Sequence, residues 1–146
     1  KKLVKWIRYK LGYKVILITK EQQGYMGHPT IPGVIDDTGN KPIERRMQYL
    51  EHAEFFVGIG SGLSWLAWAC NTKTVMISGF SMDWCEFQAD VRMINKDVCH
   101  GCWNKPEWGN FDRGDWNWCP KQKDFECTKS ITGDMVIEKI KAMINE

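Results

Sequence analysis

Four cysteines in the last third of the chain constrain its fold more than any other feature. They follow the spacing Cys-x2-Cys-x16-Cys-x7-Cys, at Cys99, Cys102, Cys119 and Cys127. A Cys-x-x-Cys pair places two thiolates within reach of one metal ion, and a second pair from another loop completes a tetrahedron. The segment between the pairs has neither a helical nor a strand period but is rich in tryptophan, with Trp103, Trp108, Trp116 and Trp118. We therefore predict a four-cysteine metal site that holds this segment together.

The pattern leaves the identity of the metal open. Four thiolates suit zinc or iron, and a site with four protein ligands is structural because no coordination position remains for a substrate. Disulfides or buried free thiols are the alternative, but disulfides persist in oxidising compartments and the sequence shows no secretory signal. We therefore expect a cytoplasmic protein with one metal ion per chain. His100 is expected beside the ligands or in solvent, and Cys70 and Cys85 lie outside the cluster.

Length and charge narrow the classes of function. The 146 residues, 43% hydrophobic and 26% charged, are ordinary for one globular domain. A net charge of +2 and scattered basic residues give little support to nucleic-acid binding. No apolar run approaches the roughly 20 residues that span a membrane. Because the chain begins with Lys1 inside an amphipathic helical pattern, we expect it to be part of a longer protein.

Strands and helices are predicted to alternate along the chain. Apolar segments rich in β-branched residues predict strands at 13–19, 34–36, 55–59 and 74–78. Helices are predicted at about 3–11, 41–52 and 63–69, and a last one is capped near 130–134, with an inner face of Met135, Val136, Ile140, Met143 and Ile144. This order predicts an α/β fold, a Rossmann-like parallel sheet with helices on both faces. Residues 81–127, the finger, are expected as an insertion between the last strand and the final helix.

A strand-to-helix turn gives the second functional signal. The sequence Gly-Ile-Gly-Ser-Gly at 58–62 follows a predicted buried strand, and a helix begins at once. Such a helix N-terminus presents free N–H groups and a positive dipole end to a phosphate or pyrophosphate, and Ser61 and Ser64 add hydroxyl donors. No Gly-Lys-Ser/Thr follows, and the dinucleotide fingerprint is incomplete, so a tight turn without a ligand is the alternative.

Several parts of the chain together resemble a known family. Residues 34–39 (VIDDTG), the helix after them and residues 56–67 (FVGIGSGLSWLA) resemble the C-terminal half of the heptosyltransferases of glycosyltransferase family 9. The closer resemblance is to bacterial autotransporter heptosyltransferases, whose signature also includes a cysteine finger like residues 99–103 (CHGCW) and 115–120 (DWNWCP). The resemblance covers nearly the whole chain.

The resemblance implies a function and a set of site residues. Residues 1–146 would form the C-terminal, nucleotide-sugar-binding domain of a glycosyltransferase with the two-domain GT-B fold. That enzyme would transfer heptose from ADP-heptose to hydroxyls of an autotransporter adhesin, with iron held by the four cysteines. Expected donor contacts are Gly60, Ser61, Gly62, Leu63, Ser64, Lys20 and Glu21. The general base is expected on the N-terminal domain, so this chain alone should be inactive, and a homo-oligomer is expected for the full-length protein.

One departure from the wider family falls at the turn. Heptosyltransferases usually carry Asp-Ser/Thr-Gly-x-x-His there, whereas Gly60 and Trp65 stand at the aspartate and histidine positions of this chain. We therefore expect the backbone amides of 61–63 to bind the anion, without a carboxylate that would repel it. The alternatives are a zinc-binding interaction module without activity, a rubredoxin-like electron-transfer protein and a glycosyltransferase for another sugar.

Overall fold

The computed structural model describes residues 1–105, 107 and 119–145, and these residues form two parallel β-sheets flanked by helices. One sheet pairs β1 (Ile16–Leu17) with β2 (Ile35–Asp36). The other has the order β3-β4-β5, with β3 (Phe56–Ile59), β4 (Thr74–Ile77) and β5 (Val91–Met93). The helices are α1 (Lys2–Lys10), α2 (Ile43–Glu51), α3 (Gly62–Ala69), α4 (Glu126–Lys129) and α5 (Gly133–Ile144). Short 3-10 turns occupy Tyr25–Gly27, Asp83–Cys85 and Cys102–Asn104.

The register of the three-stranded sheet explains why helices cover both of its faces. Val57, Val75 and Val91 are direct neighbours across the strands, so they share one face. That face packs on α1 and α5 through a core cluster of Val75, Met93, Val136, Ile140 and Met143. Phe56 has the opposite orientation and packs in a second cluster with residues of β1, α2 and α3, including Ile18, Leu50 and Ala67. The predicted α/β architecture with parallel strands and helices on both faces is confirmed.

The prediction that the sheet ends at residues 74–78 is wrong. Strand β5 lies inside the segment 81–127 and pairs in parallel with β4, from Val75 opposite Val91 to Ile77 opposite Met93. The strand is only three residues long and has an arginine at its centre, so its apolar signal is weak. Part of the finger therefore belongs to the sheet.

The final helix forms as predicted, but its inner face includes Ile137 and excludes Met135. Thr132 is the N-cap, and its side chain accepts a hydrogen bond from the Met135 amide at 3.3 Å. The buried residues of α5 are Val136, Ile137, Ile140 and Met143, whereas Met135 is 40% exposed. Placing Met135 on the inner face was wrong, because the helix begins at Gly133 and its apolar stripe runs through residues 136, 140 and 143.

None of the helices in the described ranges has both the length and the apolar content needed to cross a membrane. The tryptophans at 108, 116 and 118, and the finger signature at 115–118, lie outside the described residues.

We predict that Ile140→Ala lowers the free energy of unfolding by about 2–5 kcal/mol, since it removes a fully buried side chain from the cluster between α5 and β4. Met135→Ala on the same helix is the control and should change stability by less than about 1 kcal/mol, because its side chain is half-exposed. Urea denaturation of both variants checks this prediction. Equal losses would contradict the assignment of the buried face.

Candidate donor site and cysteine cluster

The turn after β3 leaves backbone amides free at the start of α3. Ser61 is the N-cap in an extended conformation, and its side chain makes no capping hydrogen bond. The amides of Ser64 and Trp65 both donate to the Ser61 carbonyl, at 3.0 and 3.3 Å. The amides of Gly62 and Leu63 come before the first intrahelical bond, so helix geometry gives them no acceptor within α3. Gly62 is exposed, and a Cβ there would meet no atom within 4 Å. The turn is therefore open for an anion.

Ser64 has a different role from the one predicted for it. Its side chain is fully buried and its hydroxyl donates to the Ile59 carbonyl. That bond satisfies the last carbonyl of β3 and fixes the direction in which α3 leaves the sheet. The Ser64 hydroxyl therefore stabilises the turn from inside, whereas Ser61 keeps an uncommitted hydroxyl at its mouth.

A carboxylate that sequence reasoning missed lies against this turn. A Cβ added to Gly60 would overlap Glu86 Oε1, so the Glu86 side chain occupies the space beside residue 60. The expectation that the turn has no carboxylate is therefore wrong, because Glu86 reaches it from another segment. The sequence offered only a weak signal, since 26 residues separate the two positions and the link depends on the pairing of β4 with β5.

Arg92 of β5 holds Glu86 in place. Its Nη1 donates to Glu86 Oε2 at 2.6 Å and its Nη2 to the Phe87 carbonyl at 2.7 Å. The side chains of Glu86 and Arg92 are only 8% and 14% exposed. Ser78 at the end of β4 places its hydroxyl 3.5 Å from the same carboxylate oxygen. Glu86 and Arg92 also line an open depression of about 380 Å³, together with Trp84 and Gln88.

Lys20 and Glu21 lie together in the loop after β1, as predicted. Both are exposed, and both line an open depression of about 530 Å³ with residues 22–25. The hydroxyl of Thr19 donates to Glu21 Oε2 at 2.7 Å, and this hydrogen bond is the main reason why the pKa of Glu21 is lowered. Lys20 and a firmly ionised Glu21 can thus offer a cation and an acceptor to a polar ligand.

The two aspartates after β2 have structural partners. Asp36 accepts hydrogen bonds from the amide and the hydroxyl of Thr38, at 3.0 and 2.6 Å, and these bonds lower its pKa. Asp37 forms a bidentate pair with Arg45, at 2.6 and 2.7 Å, which likewise lowers the pKa of Asp37. Both carboxylates therefore serve the turn and the start of α2.

The four cysteines of the predicted metal site lie in one region. Burial is the main cause that raises the pKa of the Cys99 thiol to about 11, and Glu126 and the thiols of Cys102 and Cys127 add to it. Burial also raises the pKa of Cys102, helped by Cys127 and Cys119. Cys102 thus senses the thiols of Cys119 and Cys127, and Cys99 senses those of Cys102 and Cys127. All of them are free thiols, as are Cys70 and Cys85.

Two backbone features mark the loops that carry the cysteines. Gly101 adopts the left-handed conformation, with φ at 75°, between Cys99 and Cys102. Burial raises the pKa of Cys119, but hydrogen bonds from backbone amides of residues 121–125 outweigh it, so its pKa is lowered. One of these bonds runs from the Lys123 amide to Cys119 Sγ at 3.4 Å. Within the described ranges, however, no three histidine, cysteine or acidic side chains are placed closely enough to hold an ion.

Exposed aromatic rings flank the donor turn. Trp65 and Trp68 of α3 are 44% and 53% exposed, although the helix is largely apolar. Both rings contact buried Phe87, with centroids at 5.1 and 5.7 Å. Trp84 is also largely exposed, at 71%.

Comparison with known proteins places the chain among a group of bacterial enzymes. No protein-family model matches it. It is 44% identical over 133 residues to the autotransporter heptosyltransferase BAHTCr of Citrobacter rodentium (strain ICC168), a match that covers 86% of this chain and 32% of that protein. It is 35% identical over 106 residues to the inactive autotransporter heptosyltransferase BimC of Burkholderia thailandensis (strain E264), which covers 70% of this chain and 25% of BimC.

A solved structure extends the likeness to the fold. TibC of Escherichia coli O78:H11 (strain H10407 / ETEC) is described as a dodecameric iron-containing heptosyltransferase in complex with ADP-D-β-D-heptose. The chain superposes on it with a TM-score of 0.88 at 40% identity, over 99% of this chain and 39% of TibC. The chain thus spans about a third of the length of the curated relatives it matches and, over that third, belongs to the bacterial autotransporter heptosyltransferases.

Proposed function

We propose that this chain is the C-terminal, donor-binding domain of a GT-B glycosyltransferase in the cytoplasm. The enzyme transfers heptose from ADP-heptose to hydroxyl groups of an autotransporter adhesin. The observation that carries the proposal is the open turn at 60–63, which starts a helix at the carboxyl end of a parallel strand, where ligands bind in open α/β sheets. It occurs in a chain 40% identical to a protein that was crystallised with ADP-heptose.

The turn supplies the contacts that a diphosphate needs. The amides of Gly62 and Leu63 and the hydroxyl of Ser61 point to the anion, and the dipole of α3 favours its negative charge. Gly60 and Gly62 let the diphosphate approach the backbone closely because neither carries a side chain. Lys20 and Glu21, at the end of β1, are assigned to the nucleoside part of the donor.

The catalytic base belongs outside this chain. The carboxylates of Asp36 and Asp37 are occupied by Thr38 and Arg45, and their lowered pKa values make them weak bases. The Asp83 side chain is half-exposed, and its Oδ2 lies 3.9 Å from Lys96 Nζ. The donor domain therefore binds and orients ADP-heptose, and a second domain deprotonates the acceptor hydroxyl. One relative is itself called inactive, so a transfer assay on the full-length protein is needed to show turnover.

We predict that Gly62→Ala weakens binding of both ADP and ADP-heptose by about tenfold, because a methyl group would stand where the diphosphate meets the amides. The methyl group meets no protein atom within 4 Å, so the fold should keep its stability or gain about 0.4–1 kcal/mol. Isothermal titration calorimetry on the full-length protein, with thermal unfolding in parallel, measures both effects.

Gly133→Ala is the matched control for that variant. Gly133 is also the first residue of a helix, and a Cβ there makes only ordinary contacts, the nearest at 3.5 Å. It should stabilise the protein similarly and leave nucleotide binding unchanged. Unaltered binding in Gly62→Ala would contradict the assignment of the turn, and a wild-type protein that binds no ADP-heptose would favour the alternative of a zinc-binding interaction module.

We further propose that Cys99, Cys102, Cys119 and Cys127 bind one iron ion per chain, with zinc as the alternative metal. The chemistry of the donor set suits iron, because it offers four soft sulfur ligands from two loops, with backbone amides that favour the Cys119 thiolate. In the described structure the four sulfurs do not yet lie closely enough together to hold an ion, so binding would draw the two loops together. Iron bound there would join the loops at 99–102 and 119–127 and would take no part in the transfer. Support for iron over zinc comes from TibC, which is described as iron-containing.

We predict that Cys102→Ser reduces the iron content from one ion per chain to near zero, because three thiolates and a hydroxyl bind iron far more weakly than four thiolates. Cys70→Ser is the control and should keep the iron, since Cys70 packs beside Leu50 and Ala67 in the other core cluster. Elemental analysis and the visible charge-transfer bands of iron thiolates report the outcome. Iron loss in both variants, or in neither, would contradict the four named ligands.

Self-association is the remaining part of the proposal. TibC is described as dodecameric, and the exposed tryptophans of this chain give it an apolar surface suited to contacts between copies. We therefore assign a homo-oligomer to the full-length protein.

A further inference from the structure

We propose that Glu86 recognises the sugar of the donor, as the specificity-determining acceptor for a sugar hydroxyl next to the diphosphate. This inference rests on the proposed binding of a nucleotide sugar at the turn of residues 60–63. It assigns the sugar of the donor to the open depression bordered by Glu86, Trp84 and Gln88.

The two oxygens of the Glu86 carboxylate have different surroundings. Oε2 takes the hydrogen bond from Arg92 and has the Ser78 hydroxyl nearby. Oε1 points at Gly60, and no described residue donates a hydrogen bond to it. Every fully buried polar side-chain atom in the described residues has a partner, so Oε1 must keep some exposed surface. A side chain that is 92% buried therefore places one unbonded acceptor oxygen beside Gly60, the first residue of the turn.

Charge explains why this carboxylate is compatible with a diphosphate. Arg92 pairs with it at 2.6 Å in a mostly buried setting, so its negative charge is largely balanced before the ligand arrives. What remains at Oε1 is the capacity to accept a hydrogen bond. The diphosphate itself has only acceptor oxygens, so the partner of Oε1 must be a donor group attached next to it, and a sugar hydroxyl is such a group.

The depression beside Glu86 suits a polyhydroxylated ring. It has a volume of about 380 Å³ and opens to solvent. Gln88 adds an amide that both donates and accepts, and the exposed indole of Trp84 offers an apolar face to the C–H side of a sugar. Glu86 both lines the depression and lies beside Gly60 of the turn, so the depression is the neighbouring space that we assign to a sugar attached to a diphosphate at the turn.

The test compares ADP with ADP-heptose as ligands of the full-length protein. Glu86→Gln keeps the size of the side chain and should weaken ADP-heptose binding by about tenfold to 100-fold, the range expected for loss of a hydrogen bond to a charged group. Binding of ADP should stay within about twofold. Gly62→Ala, by contrast, should weaken both ligands, because it acts on the diphosphate that they share.

Two further variants separate recognition from a structural role. Glu86→Asp keeps the negative charge but shortens the side chain and withdraws the carboxylate from Gly60, so it should show the same selective loss for ADP-heptose. Asp90→Asn is the control: this carboxylate bonds the Thr74 amide at the opposite end of β4 and should affect neither ligand. If the role of Glu86 were purely structural, its substitution would change the affinities for ADP and ADP-heptose equally, or would change thermal stability alone.

The outcomes are distinct for the two proposals. Two results would overturn the role of Glu86 and leave the nucleotide site intact. One is a wild-type protein that binds ADP and ADP-heptose with equal affinity, and the other is a Glu86→Gln protein whose affinity falls equally for both ligands. A wild-type protein that binds neither ligand would overturn the proposed function itself. Selective loss in both Glu86→Gln and Glu86→Asp would establish the inference.

Discussion

The parallel pairing of β3, β4 and β5 is the constraint on which the donor site depends. It brings the carboxyl ends of β3 and β4 to the same edge of the sheet, so the turn at 60–63 and Ser78 lie close together. It also places Arg92 beside Met76, on the face opposite the cluster of α1 and α5. From there Arg92 reaches both Glu86 and the Phe87 carbonyl, and so fixes the segment that returns from β4 to β5. Without this register, no carboxylate would reach Gly60.

The cysteine loops hold the same segment from its other side. The amide of Gly101 donates to the Gly79 carbonyl at 2.8 Å, and that of Trp103 donates to the Phe80 carbonyl at 3.0 Å. A Cβ at Gly79 would lie 2.9 Å from the carbonyl of Cys127, so only glycine permits both cysteine loops to close on the end of β4. An ion bound by these loops would therefore stabilise the backbone that leads to Glu86. A structural metal and the proposed donor site would thus be coupled through residues 79–86.

The sequence predicted most elements because their signals are local. The turn at 58–62, the strand at 74–77 and the cap of α5 at Thr132 each depend on a few adjacent residues, and the structure has all three. Strand β5 was missed because three residues around Arg92 carry no apolar period, and because tertiary pairing with β4, not propensity, makes them a strand. The four-cysteine metal site rests on spacing and resemblance and stays a prediction, since the described residues do not group three ligands closely enough to hold an ion. The buried role of Ser64 did not, since its acceptor is set by the path of the chain after β3.

Gly60 shows why a sequence motif and a site are different things. If residue 60 itself carried an acidic side chain, its charge would lie beside the proposed diphosphate. Only that short side chain would hold the carboxylate in position. In this chain the carboxylate comes instead from Glu86, and Arg92 balances it and holds it through β5. The position is then maintained by a parallel sheet and a mostly buried ion pair, whose geometry is more rigid than that of an exposed turn. A glycine at residue 60 is therefore not the loss of a functional group but the condition for Glu86 to occupy its place.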